Sequence, residues 1–123
     1  MRVLIIDDDE QIRVLLQQMM EWAGFEVLVA ENGKIAMQMQ SRQPADLVIT
    51  DLIMPEQEGL ETISRLKKDY AGIKIIAISG GGRIGPEAYL PAALELGADL
   101  VFSKPFDVQE VVNSVKELLG NPL

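Results

Sequence analysis

The sequence predicts a doubly wound α/β sandwich on a five-stranded parallel sheet in the order 2-1-3-4-5. Three observations predict it. Short apolar runs rich in branched residues recur along the chain, and four of the five lack a polar face, as strands covered on both sides require. Segments with helical periodicity separate them. Strand and helix alternate five times, and short connections with right-handed crossovers turn such a series into a parallel sheet between two helical layers. For five units the expected order reverses between the first and third strands, which makes a switch point there.

The first strand is Val3 to Ile6. Ile12, Leu15, Leu16, Met19, Trp22 and Ala23 then form one stripe at spacings of three and four, the core face expected of helix 1, with Gly24 as its stop. Val27 to Val29 is the second strand, followed by a shorter helix from about Asn32 to Gln40. Leu47 to Ile49 is the third strand; Leu60, Ile63 and Leu66 mark the third helix; Ile73 to Ile78 is the fourth strand. Gly80-Gly81-Gly82 and Gly85-Pro86 imply a flexible loop. Pro91 cannot occupy a helix interior without losing a hydrogen bond, but the first turn tolerates it, so helix 4 is expected from Ala88 to Leu96, before Gly97. Leu100 to Phe102 is the fifth strand. In the last helix Val108, Val111, Val112, Val115, Leu118 and Leu119 share one face, Asp107 and Glu110 form a capping box, and Gly120 closes it. No linker, low-complexity run or internal repeat interrupts the pattern, so residues 1–123 are expected to be a single domain.

Composition narrows the chemistry. A 123-residue chain that is 48% hydrophobic builds one core without staples. It has no cysteine, which excludes disulfides and thiolate metal sites, and no histidine, which removes the commonest general base and zinc ligand. With 19 acidic against 11 basic residues, its net charge of -8 repels nucleic acid, and no basic patch overrides it. Lys67-Lys68 reads as a charge pair at a helix C-terminus. No apolar run reaches membrane-spanning length, and the start turns acidic too soon for a signal peptide. The expectation is a cytoplasmic protein with no membrane or direct nucleic acid contact.

Ligand sites in such folds lie beyond the carboxyl ends of the strands. There the sequence places Asp7-Asp8-Asp9-Glu10, Thr50-Asp51, Ser79-Gly80 and Ser103-Lys104-Pro105. Asp7, Asp8 and Asp51 come from adjacent strands, and like charges so close destabilise a fold unless something positive sits among them. Lys104 supplies one charge and a divalent cation could supply two more. Hard oxygens of this kind suit Mg²⁺. Asp9 and Glu10 read instead as the cap and first turn of helix 1. An aspartate can act as a nucleophile and form an acyl phosphate, and Asp51, ending a central strand, suits that role. Mg²⁺, the Lys104 ammonium and the Ser79 hydroxyl could each address a phosphoryl oxygen.

These residues resemble a known family. Leu4-Ile5-Ile6-Asp7-Asp8-Asp9, Asp46 to Pro55 with Gly59 following, Ile78-Ser79-Gly80, Gly97-Ala98-Asp99 and Ser103-Lys104-Pro105-Phe106 look like the CheY-like receiver domains of two-component response regulators, in order and at fitting spacings. The resemblance implies a flavodoxin-like fold and Asp51 as phospho-acceptor. It implies that Asp8 ligates Mg²⁺ (or Mn²⁺) directly, Asp7 through water, and the Ile53 backbone carbonyl as a further ligand. Ser79 would be the hydroxyl that swings toward the phosphoryl group, Lys104 its cationic contact, and Lys104-Pro105 a cis bond. The implied donor is a phosphohistidine on a sensor histidine kinase or a histidine phosphotransfer protein. The output surface would be helix 4, strand 5 and helix 5, facing an unidentified partner, in a monomer or a phosphorylation-dependent dimer. Apart from its own phosphotransfer and dephosphorylation, such a protein is not an enzyme.

Two features depart from the family. Its switch aromatic falls at Val101 here, and strand alternation turns the neighbouring Phe102 to the opposite face, so the signal is expected to pass by loop motion. The glycine-rich loop after Ser79 is a few residues longer than usual and is expected to become more ordered on phosphorylation over Gly80 to Gly85. Ile53, two residues after Asp51, is expected to hinder water and lengthen the phosphorylated lifetime. A haloacid-dehalogenase-type phosphatase would want a second acid where Ile53 stands. A nucleotide- or flavin-binding module would want glycines and hydroxyls where Asp7 to Glu10 stand. A pseudo-receiver that acts without phosphorylation would have no need of the chemistry at these positions.

Overall fold

The computed structural model describes residues 1–52, 58–79 and 90–120. Its elements alternate as β1 (Arg2–Ile6), α1 (Glu10–Trp22), β2 (Glu26–Ala30), α2 (Gly33–Arg42), β3 (Leu47–Asp51), α3 (Glu58–Asp69), β4 (Lys74–Ser79), α4 (Leu90–Leu96), β5 (Leu100–Ser103) and α5 (Val108–Leu119). All strands are parallel, in the order β2-β1-β3-β4-β5. Pro91 is the second residue of α4, in the turn where a missing amide costs nothing; Ala88, the expected start, lies outside the described residues. The Gly80–Gly85 loop and Ile53 lie outside them too.

Strand alternation divides the core in two. Leu4, Ile6, Val48, Ile75 and Ala77 face one side, with Ala36 of α2, Ile63 and Leu66 of α3 and Ala93 of α4. Val3, Ile5, Leu47, Ile49, Ile76 and Ile78 face the other, with Leu16 and Met20 of α1 and Val111, Val112 and Val115 of α5. Every residue of β3 is buried, because the central strand is covered on both faces.

The expected face of α1 needs correction. Leu16 and Met20 are its fully buried residues, with Ile12, Met19 and Ala23 packed beside them, whereas Leu15 is 41% exposed and Trp22 89%. Val14, Leu15 and Trp22 lie around the helix from that core line, so apolar residues occupy more than one face. Periodicity then admits two faces, and only packing chooses between them. Burying Leu16 and Met20 contributes about 1.5–3 kcal/mol each.

The N-cap carboxylates act as expected, but of the expected capping box only the Asp107 half is present. Among the described residues the Glu110 side chain makes no return bond to the Asp107 amide. The Asp9 carboxylate accepts from the Gln11 and Ile12 amides, and Asp107 accepts from Gln109 and Glu110. Gly24, after α1, has φ 100°, a left-handed conformation that glycine adopts without strain. Lys67 does more than face the end of α3. Its Nζ donates to the Ile73 carbonyl at 2.6 Å and pairs with Asp99 at 3.2 Å, while Asp99 accepts the Ile75 amide at 2.8 Å. That clamp joins α3, β4 and the approach to β5 at the end of the sheet opposite the acidic edge.

Candidate functional site

The ends of β1 and β3 lie side by side, with Ile6 opposite Thr50, so the next residues, Asp7 and Asp51, emerge together. Asp7, Asp8 and Asp51 each offer a carboxylate oxygen, all within 4.8 Å of one another. Asp7 and Asp51 are buried and Asp8 is exposed. Asp7 accepts the Asp9 amide on one oxygen at 2.9 Å. Its other oxygen stands 3.5 Å from the Lys104 ammonium, which lies 3.3 Å from Asp51 Oδ2. One cation therefore serves two buried carboxylates at distances longer than the usual 2.7–2.9 Å of a tight charged hydrogen bond.

Lys104 follows β5, where its amide donates to the Ser79 carbonyl at 2.8 Å, and its peptide bond to Pro105 is cis. Burial pushes the Asp7 carboxyl above its ordinary range, outweighing the Asp9 amide and Lys104, both of which pull it down. For Lys104, burial lowers the ammonium, but the Asp51 and Asp7 carboxylates beside it overcome that and hold it above its ordinary value. The site thus carries a surplus of negative charge.

Ser79, at the end of β4, is 0% exposed, and its Oγ has no hydrogen-bond partner among the described residues. A hydroxyl buried without a partner is costly, and one at a strand end beside acidic groups is available to a bound ligand. The three carboxylates are hard oxygen donors, the set that suits Mg²⁺. The Ile53 carbonyl, expected as a further ligand, lies outside the described residues. Val101 packs against the core on the α3 and α4 side, and Phe102 against the α1 and α5 side. The position of the expected switch aromatic therefore holds a small aliphatic group.

Two residues of the site's frame were not singled out by sequence reasoning. Gly59, in the first turn of α3, lies against the end of β3. A Cβ there would stand 2.3 Å from the Asp51 carbonyl oxygen and 2.7 Å from Leu52 Cα. Arg13, in the first turn of α1, donates Nη1 to the Asp7 carbonyl at 2.8 Å. Gly59 was legible only as part of a motif, and Arg13 as one more charge on a helix.

The model of the response regulator receiver domain matches residues 3–116. The chain belongs to this family. Receiver domains are phosphoryl-accepting signalling proteins of two-component systems. The chain is 32% identical to sporulation initiation phosphotransferase F of Bacillus subtilis over 96% of its length and 93% of that protein. It is 36% identical to the chemotaxis protein CheY of Halobacterium salinarum, over 96% of each. A CheY-like receiver domain protein from Methanospirillum hungatei has a similar structure, with a TM-score of 0.85 at 28% identity, covering 94% of this receiver domain and 90% of that chain. No helix among the described residues is long and apolar enough to cross a membrane.

Proposed function

We propose that Asp51 accepts a phosphoryl group from a phosphohistidine of a sensor histidine kinase or histidine phosphotransfer protein in a Mg²⁺-dependent reaction. The observation that carries this reading is the Lys104 ammonium 3.3 Å from Asp51 Oδ2, in a pocket where Asp7 and Asp8 add two more carboxylates. An Asp51 oxygen bonds to phosphorus as the bond from phosphorus to the imidazole nitrogen breaks, and the imidazole leaves with its electron pair. Asp7, Asp8, Asp51 and the Ile53 carbonyl would hold the metal ion. Bound there, Mg²⁺ supplies positive charge against the phosphoryl oxygens and offsets the surplus of carboxylates. Lys104 contacts a second oxygen, and the Ser79 hydroxyl, which has no partner among the described residues, turns to a third. In this reading Ile53, two residues after Asp51 in the sequence, hinders attack by water and lengthens the phosphorylated lifetime.

Phosphorylation shifts the population of two packings by these new contacts. With Val101 in place of an aromatic, the shift passes through the segment after Ser79 to the surface of α4, β5 and α5, where an output partner binds. The reading places the protein in the cytoplasm beside its phosphodonor.

Incubation with Mg²⁺ and phosphoramidate, read by intact mass, tests the proposal. One added phosphoryl group is expected, absent without Mg²⁺ and absent in Asp51→Asn. A wild-type mass that never changes would leave an interaction module without phosphotransfer, and a phosphoryl group retained in Asp51→Asn would place the acceptor elsewhere.

A further inference from the structure

Asp8 is the exposed member of the carboxylate cluster, and among the described residues no hydrogen bond or ion pair fixes its side chain. Its direction is set by the backbone that carries it. The preceding residue is tied down several times over. The Asp7 amide donates to the Ala30 carbonyl at 3.2 Å, the Asp7 carboxylate takes the Asp9 amide at 2.9 Å, and the Asp7 carbonyl takes Arg13 Nη1 at 2.8 Å. The last of these acts on the Asp7–Asp8 peptide plane itself, which the planar peptide bond transmits to the Asp8 Cα.

Arg13 stands against its own helix. Side chains in an α-helix lean toward the N-terminus, so a residue in the first turn of α1 places its guanidinium at the acidic edge of the sheet. That is the positive end of the helix dipole, where acidic residues are favoured and a cation is not. Arg13 forms no ion pair among the described residues, and its hydrogen bond there is to the carbonyl beside the metal-site acids. Helix stability does not account for an arginine here.

We infer that Arg13 is a positioning residue of the acidic site: by holding the Asp7 carbonyl it fixes the Asp7–Asp8 peptide and aims the Asp8 carboxylate at the cation. The inference rests on the proposed Mg²⁺ site. It also separates two effects of opposite sign. As a nearby positive charge alone, Arg13 repels a divalent cation, and its removal would tighten binding. As a positioning residue, its removal weakens binding, because partners that orient metal ligands typically contribute about 10–100-fold in affinity.

Calorimetric titration of Mg²⁺ into metal-free wild type, Arg13→Gln and Arg13→Lys decides the matter, with urea unfolding of each protein alongside. Arg13→Gln is expected to bind Mg²⁺ about tenfold more weakly, with an unfolding midpoint close to wild type. Arg13→Lys, which keeps the charge and one donor, is expected to recover part of the loss. Unchanged or tighter binding by Arg13→Gln would overturn the inference, and so would a loss that merely tracks a collapse of the unfolding midpoint. Wild type that binds no Mg²⁺ would instead refute the metal site itself, and the role of Arg13 with it.

Discussion

Replacing Gly59 by alanine sets two effects of known size against each other. Alanine is the better helix former by about 1 kcal/mol in a helix interior, so on an open helix the change would stabilise. Here the added Cβ would stand 2.3 Å from the Asp51 carbonyl oxygen and 2.7 Å from Leu52 Cα. Relief to 3.0 Å demands a move of about 0.7 Å at the closer contact, and both neighbours are backbone atoms of the β3 end. No side chain can swing aside. The first turn of α3 must lift or the Asp51 peptide must yield. Lifting α3 opens a gap beneath the fully buried Ile63 and Leu66, and a gap of that size forfeits about a quarter to a half of each contact's attraction. Overpacking of this kind costs about 1–3 kcal/mol, and rigid neighbours put it at the upper end. The net expectation for Gly59→Ala is a loss of about 2 kcal/mol. Urea unfolding of the metal-free protein, with wild type alongside, reads it as a lowered midpoint at unchanged slope. An unchanged or raised midpoint would refute the reasoning, because helix propensity would then outweigh the contact.

The remaining predictions concern packing and charge. Met20→Ala, at a site 0% exposed, is expected to cost about 2–5 kcal/mol by urea unfolding, whereas Trp22→Ser, at a site 89% exposed, should change stability by less than about 0.5 kcal/mol; the reverse ranking would restore the stripe that includes Trp22. Asp99→Ala strands the Ile75 amide and leaves Lys67 only the Ile73 carbonyl, so a loss of about 2 kcal/mol is expected, and a midpoint equal to wild type would contradict the clamp. Asp7 is held above its ordinary 3.8 by burial, so between that value and the raised one the folded protein keeps a proton that the unfolded chain has released. Its contribution is therefore fully present below 3.8 and is lost as pH rises from there through the raised value. Metal-free Asp7→Asn escapes that loss and should unfold at higher urea than wild type near neutral pH, with a flatter pH profile; a lower midpoint would show that the Lys104 pair outweighs the burial of Asp7.

How much the chain announces in advance differs from residue to residue. Branched runs such as Leu47 to Ile49 cannot face water on either side, and strand alternation alone turns Val101 and Phe102 to opposite cores. The acidic residues at the ends of β1 and β3 and the Lys104-Pro105 pair were legible because the switch-point rule says where strand ends must meet. Asp9 and Asp107 read as caps because a cap is a local hydrogen bond, complete within a few residues.

What the sequence by itself determined are properties that close over short stretches of chain or follow from topology: strand and helix identity, caps, and which ends share an edge. Only the tertiary structure decided which face of α1 is buried, since Leu15 and Leu16 are equally apolar and the choice depends on what α5 and the sheet present. It alone decided that Ser79 Oγ is buried with no partner among the described residues, that Arg13 holds the Asp7 carbonyl, that Lys67 crosses to Asp99 and that Gly59 touches β3. Each of these is a contact between elements distant in sequence or a consequence of what surrounds the residue. Local pattern carries no information about a distance that packing sets.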